Sequence, residues 1–171
     1  DIGPEKKPDI RIVGSLKLNA FSTPVDETFA DQLRVAAGSR PIVLAASTHS
    51  PEEQILLKAS QEVVRAGFPH LLIIAPRHSD RSQDIARLMP KAAHRSKNQL
   101  PLLGDNHFLA DSFGEMSSLV TAADIVILGG SFVPKGGHNP LEIAALSTPL
   151  ITGPSQFKNK VEFDTLQQYG Q

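Results

Sequence analysis

The segment at residues 129–142, GGSFVPKGGHNPLE, contains residue types that could bind a phosphate or a nucleotide. Its two glycine pairs allow a ligand to come close to the backbone. Asn139 suits a helix N-cap and Pro140 suits the first helical position, and the amides at such a helix start suit a phosphate. Glu142 could accept hydrogen bonds from the hydroxyls of a ribose. The segment therefore predicts a binding loop that leads into a helix.

The same segment also has a purely structural interpretation. Glu142 follows Asn139 by three residues, the spacing of a capping box in which the carboxylate accepts the backbone N–H of the cap residue. One carboxylate cannot fully serve both that N–H and a ribose diol, and the spacing alone leaves the choice open. The segment is not a GxGxxG fingerprint, and Lys135 lacks the glycine spacing of a P-loop.

A second candidate element is PRH, which follows an apolar run and contains Arg77 and His78. The planar guanidinium of an arginine matches a phosphate or a pyrimidine carbonyl, so Arg77 could anchor an anion. The alternative is a surface arginine that pairs with Asp80 or Glu115.

Two further loops precede predicted helices. In STHS, Ser50 suits the N-cap of the next helix, while the hydroxyls of Ser47 and Thr48 could either cap that helix or contact a sugar. In the second loop Glu115 follows Gly114 and lies in the first turn of the predicted helix. An acidic residue at that position is favoured by the helix dipole.

Apolar runs alternate with helical patterns along the whole chain. We predict strands at residues 10–16, 41–46, 70–75, 99–103, 124–128 and 149–151, and helices at 26–37, 51–66, 80–89, 113–122, 139–146 and 158–168. The strand at 99–103 contains Pro101 and should be short or lie at an edge. This alternation predicts an α/β fold, a Rossmann-like doubly wound parallel sheet.

That fold places ligands at the carboxyl ends of the strands. The loops there are predicted at residues 47–50, 76–80, 104–113 and 129–138. Their polar side chains should converge on one rim: Ser47, Thr48, His49, Arg77, His78, Ser131 and His138.

Composition narrows the function classes. The 171 residues suit a single domain, and a formal net charge of −1 gives no electrostatic case for binding nucleic acid or an anionic membrane surface. No apolar run approaches the roughly 18 residues of a membrane helix. The chain has no cysteine, and its six histidines contain no HxxxH pair. We therefore expect neither a metal site nor a cofactor.

Six motifs in this order resemble the 3-deoxy-D-manno-octulosonic acid (Kdo) transferases, GT-B glycosyltransferases of lipopolysaccharide synthesis. They are VGSLKLN (13–19), ASTHSPEE (46–53), APRHSDR (75–81), LGDNHFLADSFGEM (103–116), GGSFVPKGGHNPLE (129–142) and TGPSQFKN (152–159). The fourth is similar to the family's GD-x-x-GE loop but longer, which we interpret as an expansion by NHFLAD.

The resemblance implies a CMP-Kdo donor bound by this chain and a lipid A precursor bound by an N-terminal domain. It implies that CMP is contacted by Pro76, Arg77, Phe113, Gly114, Glu115, Asn139, Pro140, Leu141 and Glu142. It further implies a phosphate and sugar wall of Ser47, Thr48, His49, Gly130, Ser131, Gly136, Gly137 and His138. The family's catalytic base is a glutamate of the N-terminal domain, so no catalytic residue is expected here.

On this view residues 1–171 form one nucleotide-sugar-binding domain, a soluble and inactive part of a longer protein. The full-length protein is expected at the cytoplasmic side of the bacterial inner membrane, with membrane contact only through its other part. Two alternatives remain at this point. One is another GT-B enzyme, a UDP-sugar transferase or a UDP-GlcNAc 2-epimerase. The other is a non-catalytic nucleotide-binding module.

Overall fold

The computed structural model describes residues 24–169, so the strand predicted at residues 10–16 and the motif at 13–19 lie outside the described part. The helices are α1 (Glu27–Ala37), α2 (Glu52–Arg65), α3 (Ser82–Leu88), α4 (Met116–Ala122), α5 (Leu141–Ala144) and α6 (Lys160–Tyr169). The strands are β1 (Ile42–Thr48), β2 (Leu71–Pro76), β3 (Ala93–His94), β4 (His107–Leu109), β5 (Ile125–Leu128) and β6 (Leu150–Thr152). Single 3₁₀ turns at Ser79–Arg81 and Arg95–Lys97 complete the described elements.

The described strands form one parallel sheet in the order β3-β4-β2-β1-β5-β6. The two central strands are almost entirely apolar, as expected where both faces of a sheet are covered. The order reverses at β1, which pairs with β2 on one side and with β5 on the other. Sheets of this kind bind ligands at their carboxyl edge beside such a reversal.

Helices cover both faces of the sheet. Leu44 and Ile73 belong to one buried cluster with residues of α1, α4, α5 and α6. The neighbouring strand residues Ala45 and Ile74 belong to a second cluster with α2 and α3. Successive strand residues point to opposite faces, so the two clusters are the two layers of the core. The prediction of a Rossmann-like doubly wound α/β fold is confirmed.

The prediction of a strand at residues 99–103 is wrong. These residues form no strand, and Leu102 and Leu103 are 73% and 77% exposed. The strand lies instead at β4, where Phe108 and Leu109 are fully buried and pair with β2. The segment NHFLAD, which was interpreted as a loop expansion, therefore contains a strand of the sheet. The rim loop that was predicted from residue 104 begins at residue 110.

Several helices start later than predicted. The one predicted from residue 113 starts at Met116, because Gly114 has a φ of 80°, outside the helical range. The one predicted at 139–146 is the short α5. Ser50 does not cap α2, since the cap position belongs to Pro51, which makes no side-chain cap hydrogen bond. The described helices include none with the length and apolar character that a bilayer crossing requires.

A buried ion pair joins the first turn of α2 to the turn before α3. Glu53 is 1% exposed and accepts hydrogen bonds from Arg81 to both carboxylate oxygens, at 2.7 and 3.0 Å. The hydroxyl of Thr48 donates to the same carboxylate at 2.8 Å. Burial raises the pKa of Glu53, but the hydrogen bonds from Arg81 and Thr48 outweigh burial and lower it overall. Glu53 therefore stays ionised and holds three segments together.

Replacing Arg81 by alanine should lower the free energy of unfolding by about 3 kcal/mol, because a buried carboxylate loses its counter-ion. Urea unfolding measures this change. Arg87→Ala is the matched control, since Arg87 and Asp84 form an ion pair in which both side chains are 73% exposed. Such a pair contributes less than about 1 kcal/mol. Equal losses in the two variants would contradict the role assigned to Arg81.

Candidate functional site

An open cavity of about 340 Å³ lies at the carboxyl edge of the sheet, where β1, β2 and β5 end and the loop after β4 begins. Nine residues singled out from the sequence line it: Ser47, Pro76, Arg77, Phe113, Gly114, Glu115, His138, Asn139 and Glu142. The fold thus brings together segments that are far apart in the chain. The other nine do not line it: Thr48, His49, His78, Gly130, Ser131, Gly136, Gly137, Pro140 and Leu141.

Arg77 is exposed at this cavity and makes no ion pair with any described residue. The alternative in which it pairs with Asp80 or Glu115 is therefore wrong. Its backbone N–H donates to the carbonyl of Thr48 at 3.1 Å, which fixes the base of the side chain beside the end of β1. The guanidinium itself is available to an anionic ligand.

Glu115, in contrast, already has partners. Arg95 donates to both of its oxygens, with Nε at 2.9 and 3.0 Å, and Ser112 donates through its hydroxyl. The guanidinium of Arg95 also lies 4.4 Å from the ring centre of Phe29. Burial raises the pKa of Glu115, but the hydrogen bonds from Arg95 and Ser112 lower it overall. Glu115 thus remains ionised and shapes the wall of the cavity formed by residues 113–115.

The carboxylate of Glu142 makes no hydrogen bond within the described part of the chain and is exposed at the cavity. The capping box considered from the sequence is therefore not formed. Asn139 does hold the start of α5, because its Oδ1 accepts the N–H of Leu141 at 3.1 Å. The N-cap position of α5 is Pro140 rather than the predicted Asn139. Asn139 binds the backbone at the start of the helix, whereas Glu142 faces the cavity without a partner among the described residues.

The glycine-rich loop is tied to a buried carboxylate that the sequence analysis did not recognise as part of the site. Glu52 is 1% exposed and accepts the backbone N–H groups of Gly130 at 2.8 Å and Phe132 at 3.0 Å. It also accepts the N–H of His49 at 2.8 Å. One side chain therefore fixes the loops after β1 and β5 relative to each other.

The second glycine pair is also bound within the protein. Gly136 N–H donates to the hydroxyl of Ser155 at 3.0 Å, and Gly137 N–H donates to the carbonyl of Gly130 at 2.8 Å. The side chain of Asn159 donates to the carbonyl of Gly137 at 2.7 Å. These loop amides have protein partners, so the glycines shape the loop rather than offer their own N–H groups.

Two hydroxyls expected in the sugar wall point inward instead. Ser131 is fully buried, donates to the carbonyl of Leu128 at 2.5 Å and accepts the N–H of Gly153 at 2.8 Å. Thr48 is likewise fully buried against Glu53. Both hydroxyls stabilise the strand ends beneath the cavity. Position 129, beside these strand ends, requires glycine because a Cβ there would collide with the backbone of Ser47 and Thr48.

A pair of histidines lies at the edge of the cavity. The Nε2 atoms of His49 and His138 are 2.8 Å apart, and a Cβ on Gly130 would come within 3.1 Å of the His138 ring. Burial, and after it the charges of His49, Arg77 and Lys158, together lower the pKa of His138 to about 4. Burial also lowers the pKa of His49, although Glu52 opposes that change. Both rings are therefore neutral in the free protein near neutral pH.

Neutral His138 makes folding sensitive to acid. Its pKa is about 4 in the folded state and about 6.5 in an unfolded chain, so below pH 6.5 the unfolded state binds more protons. Stability should fall as the pH is lowered from about 7.5 to 5, with a contribution from His138 on the order of 1 kcal/mol. Thermal unfolding of the chain and of His138→Gln across this range measures it. Parallel pH profiles for the two proteins would contradict the assignment.

Three residues that position the site were missed from the sequence: Glu52, Arg95 and Asn159. Glu52 lies within the motif ASTHSPEE, but no local pattern assigns it a role in the site. Arg95 precedes Glu115 by 20 residues, and no local spacing marks such a partner. Among the described residues, no group of three or more His, Cys, Asp or Glu could hold a metal ion.

The parallel sheet, its reversal at β1 and the cavity at its carboxyl edge define a Rossmann-like α/β domain. The chain matches no family model. A 3-deoxy-D-manno-octulosonic acid transferase of Haemophilus influenzae is 38% identical over 157 residues, which are 88% of this chain and 36% of that protein. The corresponding transferase of Rickettsia conorii is 33% identical over 151 residues, covering 86% of this chain and 32% of that protein.

The structure is also similar to a crystal structure described as the C-terminal CMP-Kdo binding domain of WaaA from Acinetobacter baumannii. The TM-score is 0.74 at 32% identity, over 81% of this chain and 76% of that one. The chain belongs to the 3-deoxy-D-manno-octulosonic acid transferase family, which confirms the resemblance found in the sequence. It spans about a third of the length of the curated relatives it matches.

Proposed function

We propose that this chain binds CMP-Kdo as the donor for transfer of Kdo to a lipid A precursor in lipopolysaccharide synthesis. The observation that carries the proposal is the cavity itself. It brings Arg77, the loop at residues 113–115 and Glu142 into one open crevice. The side chains of Arg77 and Glu142 have no partner among residues 24–169.

Each group suits one part of the donor. The guanidinium of Arg77 matches the charge and shape of a phosphate. The unpaired carboxylate of Glu142 can accept hydrogen bonds from two ribose hydroxyls. The wall at residues 113–115 supplies backbone groups and the exposed ring of Phe113, against which a pyrimidine can lie. Asn139 supports this arrangement by accepting the backbone N–H of Leu141 at the start of the helix that carries Glu142.

The reaction proposed for the full-length enzyme is an inverting displacement at the anomeric carbon of Kdo. An acceptor hydroxyl oxygen forms the new bond, the bond to the phosphate oxygen breaks, and CMP leaves with the electron pair. The hydroxyl proton goes to a carboxylate outside this chain. This chain contributes by stabilising the charge that develops on the departing phosphate, for which Arg77 is positioned.

The proposal also concerns the organisation of the whole protein. Residues 1–171 would form its donor-binding domain, and the remaining part would hold the acceptor and the catalytic base. Contact with the cytoplasmic side of the inner membrane would be made by that remaining part. The proposal requires no nucleic-acid partner.

Arg77→Ala should weaken CMP binding about 10- to 100-fold, the loss expected for a hydrogen bond to a charged phosphate. Thermal unfolding should be unchanged, because the Arg77 side chain is exposed and makes no ion pair with the residues that the structure describes. Calorimetric titration with CMP measures the affinity. Arg87→Ala is the matched control and should bind CMP like the unaltered chain. Tighter binding of UDP than of CMP would favour a UDP-sugar transferase or epimerase.

Glu142→Ala should weaken CMP binding about 10-fold and change the free energy of unfolding by less than about 1 kcal/mol. The loss should be smaller for 2′-deoxycytidine monophosphate, which lacks the ribose diol. Titrations of both nucleotides into both proteins separate this contribution. Lower stability with unchanged CMP affinity would return Glu142 to a helix-capping role.

The 171-residue chain should bind the donor without transferring Kdo, because the base is proposed to lie elsewhere. CMP release from CMP-Kdo in the presence of a lipid A precursor should equal the rate of spontaneous hydrolysis. Transfer by this chain alone would show that it contains the base. Failure to bind CMP or CMP-Kdo would instead favour a module with a different role.

A further inference from the structure

The two histidines at the edge of the cavity meet in an in-line hydrogen bond. Their Nε2 atoms are 2.8 Å apart, their ring planes differ by 8° and their ring centres are 5.0 Å apart. Nearly coplanar rings that approach through nitrogen atoms form an N–H···N bond rather than a face-to-face stack. With both rings neutral, one Nε2 carries a hydrogen and the other accepts it.

This arrangement can accept one additional proton without rearrangement. A proton added to the pair converts N–H···N into a bond between an imidazolium and an imidazole, and charge-assisted hydrogen bonds are the stronger kind. The pair can therefore carry either no charge or one positive charge in the same geometry. Which state is populated depends on the charges around it.

The surroundings of the pair are mainly positive when the cavity is empty. The groups that act on the two rings come from each neighbouring element: Glu52 on α2, Arg77, His78 and Arg81 after β2, Lys135 after β5 and Lys158 after β6. Arg81 is neutralised by Glu53, and Glu52 is bound to three backbone N–H groups. Glu142 faces the same cavity. The unpaired lysines and Arg77 thus oppose protonation.

Arg77 connects the pair to the ligand. Its charge acts on His138, and both residues line the cavity. A phosphate held by Arg77 therefore lies beside His138, where its negative charge offsets the repulsive charge of Arg77. An opposite charge within about 4–6 Å favours the charged form of a titrating group.

We propose that His49 and His138 form an anion-binding subsite that takes up one proton from solvent when the anionic donor binds. The protonated pair then carries a positive charge next to the donor phosphate. The inference rests on the proposed donor function and deepens it. A CMP-sugar linked through a phosphodiester carries its charge at all pH values near neutrality, so the proton must come to the protein. Donor affinity then increases as the pH falls.

The test uses the methyl phosphodiester of CMP, because its phosphate does not titrate near neutral pH. Calorimetric titration at about pH 6.5, in two buffers of different ionisation enthalpy, measures the protons taken up per ligand bound. We expect an uptake of about half a proton or more. The affinity should rise about fourfold or more between about pH 7.5 and pH 6.

His138→Gln provides the decisive variant, since glutamine can donate to His49 but does not titrate. Proton uptake and the pH dependence of affinity should both be lost. His107→Gln is the matched control, because burial also lowers the pKa of His107 although that residue lies outside the donor cavity. Its uptake should equal that of the unaltered chain.

Ring-carbon NMR of the unaltered chain gives a second measurement that does not depend on any variant. The pKa values of His49 and His138 should rise when the methyl ester binds, and that of His107 should not. Binding without proton uptake, or uptake that persists in His138→Gln, would overturn this inference and leave the donor function intact. Absence of binding at every pH would overturn both.

Discussion

The geometry of the cavity at the carboxyl edge of the sheet depends on one buried carboxylate. Glu52 lies at the start of α2 and accepts three backbone N–H groups, two from the loop after β5 and one from the loop after β1. Because Glu52 is only 1% exposed, its carboxylate oxygens must find hydrogen-bond donors within the protein. The donors are backbone N–H groups of two loops, which the carboxylate thereby holds together. The positions of the two histidines and of the glycine-rich segment follow from this contact.

Around that contact, the protein separates groups that support the site from groups that face it. Glu53, Glu115 and Ser131 have complete sets of protein partners and are held in the interior or the wall. Arg77 and Glu142 have no side-chain partner among the described residues and lie at the cavity surface. A ligand in the cavity can therefore bind to Arg77 and Glu142 without first displacing a protein partner. The rigid wall reduces the ordering that binding requires.

The sheet was predictable because its central strands are continuous apolar runs of strand length, as expected for a sheet covered on both faces. The same reasoning failed at residues 99–103, where Leu102 and Leu103 are exposed and the true strand lies a few residues later in β4. Apolar content alone cannot distinguish these two stretches. Pairing with β2 buries one of them and leaves the other at the surface.

By itself, the sequence determined the fold class, the rim on which the polar loops meet and the family to which the chain belongs. Each of these follows from local patterns: the period of apolar residues, the glycines at strand ends and the order of short motifs. Only the tertiary structure decided which polar groups are free. Glu52 and Gly130 are 78 residues apart in the chain, and Arg95 and Glu115 are 20 apart. Spacing cannot show that such groups already satisfy each other, because the sheet alone brings them together.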